Sequence, residues 1–230
     1  MSGERVEREA YLARLEGMVF GDDPRRGYFL NNTFYNPEFE LQFSLPDGWE
    51  HARQGTVAQA VHPDRDAVVV VGTIDVESAE EGRAALTAGE GVSELERREA
   101  SLNGLPALIS EFQAETEGGP VRGVGAFVAH EGAVFQILGY ARPEAWDRNE
   151  AVMRQSVESV SPIQDPERLD VEPRRIQLVR IDQAMSLEEF ERRHPSVVPL
   201  DTLALMNGLE VDERLPAGTR VKRVTGPESP

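Results

Sequence analysis

Apolar and polar residues alternate most regularly in "FELQFSLPDGW": Phe39, Leu41, Phe43 and Leu45 fall on one side, and Glu40, Gln42 and Ser44 on the other. A period of two marks a strand buried on one face, and Asp47-Gly48 supplies the turn that ends it. Upstream, Tyr11, Leu12, Leu15, Met18 and Val19 recur every three or four residues. That spacing predicts a helix over residues 5–19, stopped by Gly21, Pro24 and Gly27. Downstream, strands are expected at residues 56–62 and 67–75, the second carrying "AVVVVGTI", apolar on both sides as in a sheet interior. Residues 78–90, with Ala79, Ala84, Ala85 and Leu86, read as a helix. Asn103-Gly104 turns into a strand over residues 108–114, and "GGP" at 118–120 joins that strand to the next. His130-Glu131-Gly132 then forms a turn between two further strands. A helix opens near Pro143 and packs Trp146, Val152, Met153 and Val157.

Hairpin-connected strands with a few helices define an α+β class with a mostly antiparallel sheet. Residues 161–175 hold three prolines and many charges, the composition of a linker. The expected organisation is an N-terminal helix and connector over 1–30, an antiparallel α+β domain over 31–162, a linker over 163–175 and a small unit over 176–225. That last unit reads βααβ: strand 176–181, helix 187–193, helix 200–206, strand 219–224.

Charge and composition then remove function classes. The formal net charge is −17 over 230 residues, so binding to nucleic acid or to anionic lipid is not expected, because both rest on clustered Lys and Arg. There is no cysteine, which removes disulfides and thiolate metal sites. No stretch approaches the 18 or so apolar residues of a membrane span. The opening "MSGERVEREAYLARLEG" is charged and lacks the apolar run of a signal peptide, which leaves a cytoplasmic location open.

Local chemistry is sparse. His130-Glu131 begins the HExxH pattern of a helical zinc site, but Val134 stands where the second histidine is needed. His51, His62 and His194 lie apart from one another. Neither a G-x-S-x-G elbow nor a phosphate-binding loop occurs, and the glycines of "GVGAFVAHEG" sit in a strand pattern with no helix after them. Among 41 carboxylates no catalytic pair stands out. No catalytic residue, metal or cofactor is expected.

The segment "IQLVRIDQAMSLEEFERRHPSVVPLDTLALMNGLEVDERLPAGTRVKRV" resembles a LysM domain along its whole length. Ser186-Leu187 stands at the family's first helix start, where Ser186 can N-cap and Glu189 complete a capping box. Leu203, Asn207, Gly208 and Leu209 match the second helix and its left-handed end. Leu215, Pro216, Gly218 and Val221 match the last turn and strand. LysM domains bind N-acetylglucosamine-containing glycans in a shallow groove between the first-helix start and the last loop. The resemblance therefore implies a peptidoglycan or chitin-like partner held near Met185, Ser186, Asn207, Gly208, Leu209, Leu215, Pro216 and Gly218. Ala184-Met185 replaces the Gly-Asp pair usual at one rim of that groove.

The remaining two-thirds has its own resemblance. "AYLARLEGMVFGDDPRRGYF" and "FYNPEFELQFSLPDGW" are similar to the region after the catalytic domain in bacterial envelope zinc metallopeptidases of the HtpX/BepA-like type. "NGLPALISEF", "GAFVAHEGAVFQILGYA" and the helix ending in "SVESV" fit the β-rich domain of that region, and the strand–helix order is also similar to PsbP-like domains. The implied role is a non-catalytic accessory or targeting module of the periplasm or cell envelope, with a peptidase as partner. Two other roles stay open. The chain could be part of an active metallopeptidase whose HExxH domain lies elsewhere, or a purely structural protein-interaction domain.

Overall fold

The computed structural model describes residues 11–227. Among the described residues the expected helix over 5–19 runs, as α1, through residues 11–15; residues 5–10 lie outside the described part. Gly17, at φ +77°, ends it, and Val19 instead forms a β-bridge to Arg175. Tyr11 and Met18 are exposed, so the apolar stripe read there covers no core.

The chain divides into two compact units. One comprises residues 26–170; the other joins residues 1–25 to residues 171–230. Within 26–170 the strands are β1 (Tyr28–Leu30), β2 (Thr33–Asn36), β3 (Leu41–Ser44), β4 (Glu50–Gln54), β5 (Val57–Val61) and β6 (Ala67–Ile74). Helix α2 (Ala79–Thr87) leads to β7 (Val92–Leu102), β8 (Leu105–Thr116), β9 (Gly119–His130) and β10 (Ala133–Ala141). Helix α3 (Pro143–Val157), β11 (Ser161–Pro162) and the short helix α4 (Pro166–Leu169) complete the unit. The strands form a seven-stranded sheet in the order β4-β5-β6-β10-β9-β8-β7 and a four-stranded sheet in the order β1-β2-β3-β11. Every pairing is antiparallel, so the α+β class with a mostly antiparallel sheet holds.

The alternation in "FELQFSLPDGW" holds from Leu41 onward: Leu41, Phe43 and Leu45 are buried. Phe39 instead sits in a 3-10 turn that Glu40 closes at φ +53°. Helix α3 lays Met153 and Val157 against Gly139 of β10, on the face that also carries Val69, Val71 and Ile137. Helix α2 uses the opposite face, where Gly82 sits against Ile74, Phe127 and Val134. The glycines of "GVG" are packing residues. A Cβ on Gly123 would stand 2.4 Å from the Phe112 ring and 3.0 Å from the Gly139 carbonyl oxygen, and one on Gly125 would meet Leu138 at 2.7 Å. Both approaches are closer than a side chain tolerates.

Residues 163–175, expected as a linker, contain α4 and hydrogen bonds back to the sheet. Ile163 N–H donates to Glu40 at 2.7 Å, and Tyr28 Oη donates to the Arg168 carbonyl at 3.1 Å. Three prolines did not prevent this, because Pro162 ends the two-residue strand and Pro166 occupies the first turn of α4, where its missing N–H costs nothing.

In the other unit, β12 (Arg175–Arg180), β13 (Met185–Ser186), α5 (Leu187–Arg193), α6 (Leu200–Asn207), β14 (Arg214–Leu215) and β15 (Arg220–Thr225) follow the predicted βααβ order. Antiparallel β12 and β15 form the main ladder, and a core of Ile181, Met185, Leu187, Phe190, Leu203, Ala204, Leu215 and Val221 lies beneath the helices. Residues 17–20 line the outer edge of β12: Gly17 N–H reaches the Ile176 carbonyl, Ile176 N–H the Met18 carbonyl and Phe20 N–H the Arg174 carbonyl, each at 2.8 Å. The edge of β15 is met by Val197, whose N–H donates to Val224 at 3.0 Å. Both edges thus have their backbone groups engaged, which guards against strand addition.

Candidate functional site

The strongest local signals in the small unit are its helix ends. Ser186 caps α5: its Oγ accepts the Glu189 N–H at 3.1 Å, and the Glu189 carboxylate accepts the Ser186 N–H at 3.1 Å. Gly208, at φ +67°, terminates α6 in the left-handed region, where the Leu209 N–H returns to the Ala204 carbonyl at 3.1 Å.

The candidate glycan residues separate into three groups. Met185 and Leu215 are core, 4% and 2% exposed. They face each other across a two-residue ladder in which Ser186 opposes Arg214. That ladder brings the first-helix start against the last turn, with Pro216 and Gly218 exposed beside it and the Gly218 N–H fixed on the Ile181 carbonyl at 2.7 Å. Asn207, Gly208 and Leu209 lie instead at the end of α6. The Asn207 amide is fully committed: Nδ2 donates to the Leu203 and Lys222 carbonyls at 2.8 and 2.9 Å, and Oδ1 accepts the Lys222 N–H at 2.8 Å. Asn207 stitches helix to strand, and Ser186 spends its hydroxyl on the cap. What the rim offers a ligand is the exposed residues Asp182, Gln183 and Ala184 on one side and Pro216, Ala217 and Gly218 on the other, with the Arg214 side chain.

The histidines do not assemble into a site. His130 ends β9, and Glu131 and Gly132, at φ +45° and +76°, make the tight turn into β10, where Val134 is buried. A turn with two positive φ values is a hairpin connection and cannot present the helical face that HExxH needs. His51 stacks on Phe29 at 5.5 Å and His194 tilts against Phe190 at 5.1 Å. His62, Asp64 and Asp66 bring ligand-type atoms within 4.8 Å of one another. The His62 Nδ1 already accepts the Asp64 N–H at 3.1 Å, however, and the guanidinium of Arg148 pairs with Asp66, so one ligand nitrogen is occupied and one of the two carboxylates is already countered.

Two ionic networks tie helices to the large sheet. On α2, Arg83 bonds Glu80 at 2.7 Å and Glu94 at 2.8 Å, and Glu94 also accepts the hydroxyl of buried Ser110 at 2.7 Å. The hydrogen bonds it donates to Glu80 and then to Glu94 push the Arg83 guanidinium further above its already high range. On α3, Arg154 bonds Glu111 at 2.6 Å and Glu150 at 2.9 Å. Each sets one guanidinium between two carboxylates, and on the α3 side Arg122 approaches Glu111 at 3.7 Å as a second cation.

A polar groove of about 480 Å³ opens in the 26–170 unit, lined by Tyr35, Gln42, Asn103, Ser161, Gln164 and Arg168, together with Pro162 and Asp165. The β2–β3 hairpin, the tip of the β7–β8 hairpin and the β11–α4 segment each contribute. Sequence reasoning took Asn103 as a turn residue, which its φ of +49° bears out, and passed over its side chain. The other lining residues come from segments up to 133 positions apart, Tyr35 to Arg168, and no local pattern gathers them.

No protein-family model matches this chain, and no curated protein matches it in sequence. Solved structures resemble it in part. PsbP (CyanoP) from Synechocystis aligns at 9% identity with a TM-score of 0.46, over 58% of this chain and 94% of that one. A protein of unknown function from Pseudomonas aeruginosa aligns at 18% identity with a TM-score of 0.39, over 58% and 93%. LpqN of Mycobacterium tuberculosis, involved in cell envelope biogenesis, aligns at 18% identity with a TM-score of 0.39, over 53% and 82%. Among the described residues no helix is long and apolar enough to cross a membrane.

Proposed function

We propose that this chain is a non-catalytic accessory module of the cell envelope, and that its C-terminal βααβ unit is LysM-like and contacts peptidoglycan. The observation that carries the reading is the Met185–Leu215 and Ser186–Arg214 ladder, which sets the start of α5 against the turn before β15. That juxtaposition is where the resembled family places its glycan groove. Here the rim exposes Asp182, Gln183 and Arg214 beside the 216–218 turn, with Met185 standing where the family has its acid. The resemblance also supplies a zinc peptidase as the partner such a module would localise.

The test is cosedimentation of the full chain with insoluble peptidoglycan. Ala184→Trp and Ala217→Trp place bulk on the two sides of the rim at exposed positions and leave the core untouched. The expected result is sedimentation of the native chain and its loss in the double variant. A native chain that stays in the supernatant, or a double variant that sediments equally well, refutes the glycan reading.

A further inference from the structure

The geometry points to a second binding site, the groove of the 26–170 unit, which takes a neutral saccharide. The argument begins with what its side chains have left to offer. Asn103, which lines the groove, donates Nδ2 to the Val160 carbonyl at 2.9 Å, which leaves its Oδ1 as an acceptor. Gln42 donates Nε2 to Ser161 Oγ at 3.3 Å, which leaves Gln42 Oε1 as an acceptor and the Ser161 hydroxyl proton as a donor. Asp165 is consumed locally: Oδ1 accepts the Glu167 N–H at 3.0 Å, and Oδ2 lies 3.5 Å from Arg168 Nε. The Arg168 guanidinium leans over the Tyr35 ring at 5.7 Å, and Tyr35 in turn stacks on Tyr28 at 5.2 Å. Two fixed amide carbonyls, a hydroxyl, a phenol and the outer N–H groups of a guanidinium therefore converge on one groove.

Charge and polarity select the ligand class. Asp165 and Arg168 cancel, and the unit around them carries 25 Asp and Glu against 11 Arg, a net −14, so an anion is repelled. Pro162 and the Tyr35 ring, already engaged by Tyr28 and Arg168, are the apolar lining, too little for a hydrophobic ligand. A ligand whose own groups both donate and accept satisfies this mixed set, and the vicinal hydroxyls of a sugar do so with no net charge. A volume of about 480 Å³ holds one or two sugar rings, within the usual span of small-ligand sites. The site lies outside the C-terminal unit and does not depend on that unit's reading.

The experiment is amide chemical-shift mapping of the full chain during titration with glucose, N-acetylglucosamine, maltotetraose and chitotetraose, with inorganic phosphate and spermidine as charged probes. At least one neutral sugar is expected to shift the side-chain amides of Gln42, Asn103 and Gln164 in a saturable way. Asn103→Gly keeps the left-handed turn and removes the amide; Gln42→Leu keeps the bulk and removes the carbonyl. Each is expected to weaken binding about tenfold, the effect of one lost hydrogen bond to a ligand. Ala184→Trp in the other unit is expected to leave these shifts unchanged. The proposal is overturned if none of the four sugars moves these amides, if phosphate or spermidine moves them and the sugars do not, or if the sugar response survives both groove variants.

Discussion

The two units reach stability by opposite routes. In residues 26–170 the core forms where two runs of hairpin-linked strands, β4–β6 and β7–β10, meet along the β6–β10 pairing, with α3 packed over it. In residues 171–227 the elements are short, acidic and basic residues balance at nine each, and structure rests on helix ends: a capping box at Ser186, a left-handed Gly208 and an Asn207 clamp. The large unit depends on shape, the small one on hydrogen bonds placed at chain reversals. Both tryptophans, Trp49 and Trp146, lie in the large unit, so tryptophan fluorescence reports its unfolding alone.

Substitutions can be ranked by how hard they press on this contrast. The largest effect is expected at Gly123→Ala, where the new methyl collides with the packed Phe112 ring and the Gly139 backbone. We expect a loss of about 3 kcal/mol, as for overpacking in a rigid core. It would be read as an earlier denaturant midpoint in tryptophan fluorescence, with amide signals of residues 176–225 retained. Asn207→Ala presses on the other unit, freeing the Lys222 N–H and two carbonyls at once, and should cost about 2 kcal/mol there. Its expected signature is the reverse: faster amide exchange along β15 with an unshifted tryptophan transition. If both substitutions move both signals together, the units unfold as one and the contrast fails.

Arg83→Met leaves Glu94 without its main partner and should cost the large unit about 2 kcal/mol, less than the loss of a fully buried pair because Glu94 is partly exposed. Ser186→Ala removes one half of a capping box, worth about 1 kcal/mol, detectable as fraying of α5 in amide exchange. The smallest effect is on pH. Burial raises the Tyr28 phenol above its ordinary range. A group with a raised folded pKa contributes stability that is complete below the unfolded value and is lost as pH rises through the folded one. The large unit should therefore weaken in alkali, and Tyr28→Phe should flatten that part of the profile.

What was legible follows the same divide. The βααβ order, the Ser186 cap and the Gly208 terminus were readable because each depends on residues three to five apart. The hairpin at Glu131-Gly132 and the alternation from Leu41 to Leu45 were readable for the same reason. Strand β7 was not: "VSELERREASL" is exposed at seven of its eleven positions and charged at five, an edge strand held by its pairing with β8. Strands β1, β2 and β4 are short and carry too few apolar positions to show a period. Helix α1 was read too long because Met18 and Val19 fit a helical stripe, whereas backbone pairing to residues 174–176 claims that stretch for an extended path. The candidate glycan residues came from the resemblance alone, and the hydrogen bonds of Ser186 and Asn207 emerge only in three dimensions. The groove residues Tyr35, Gln42, Asn103 and Arg168 gave no signal, since their meeting depends on the pairing of β3 with β11.

The seam between residues 17–20 and residues 174–176 has a consequence for how the molecule is made. Everything from Arg26 to Asp170 is an insertion within the smaller unit, whose two halves leave the ribosome about 150 residues apart. At ordinary translation speeds the first half waits on the order of ten seconds for its partner strand. During that interval the inserted unit can complete its sheet and draw its own ends near one another, as the termini of folded domains commonly lie. The smaller unit cannot close before synthesis has passed residue 170, so the inserted one always has the first opportunity to fold.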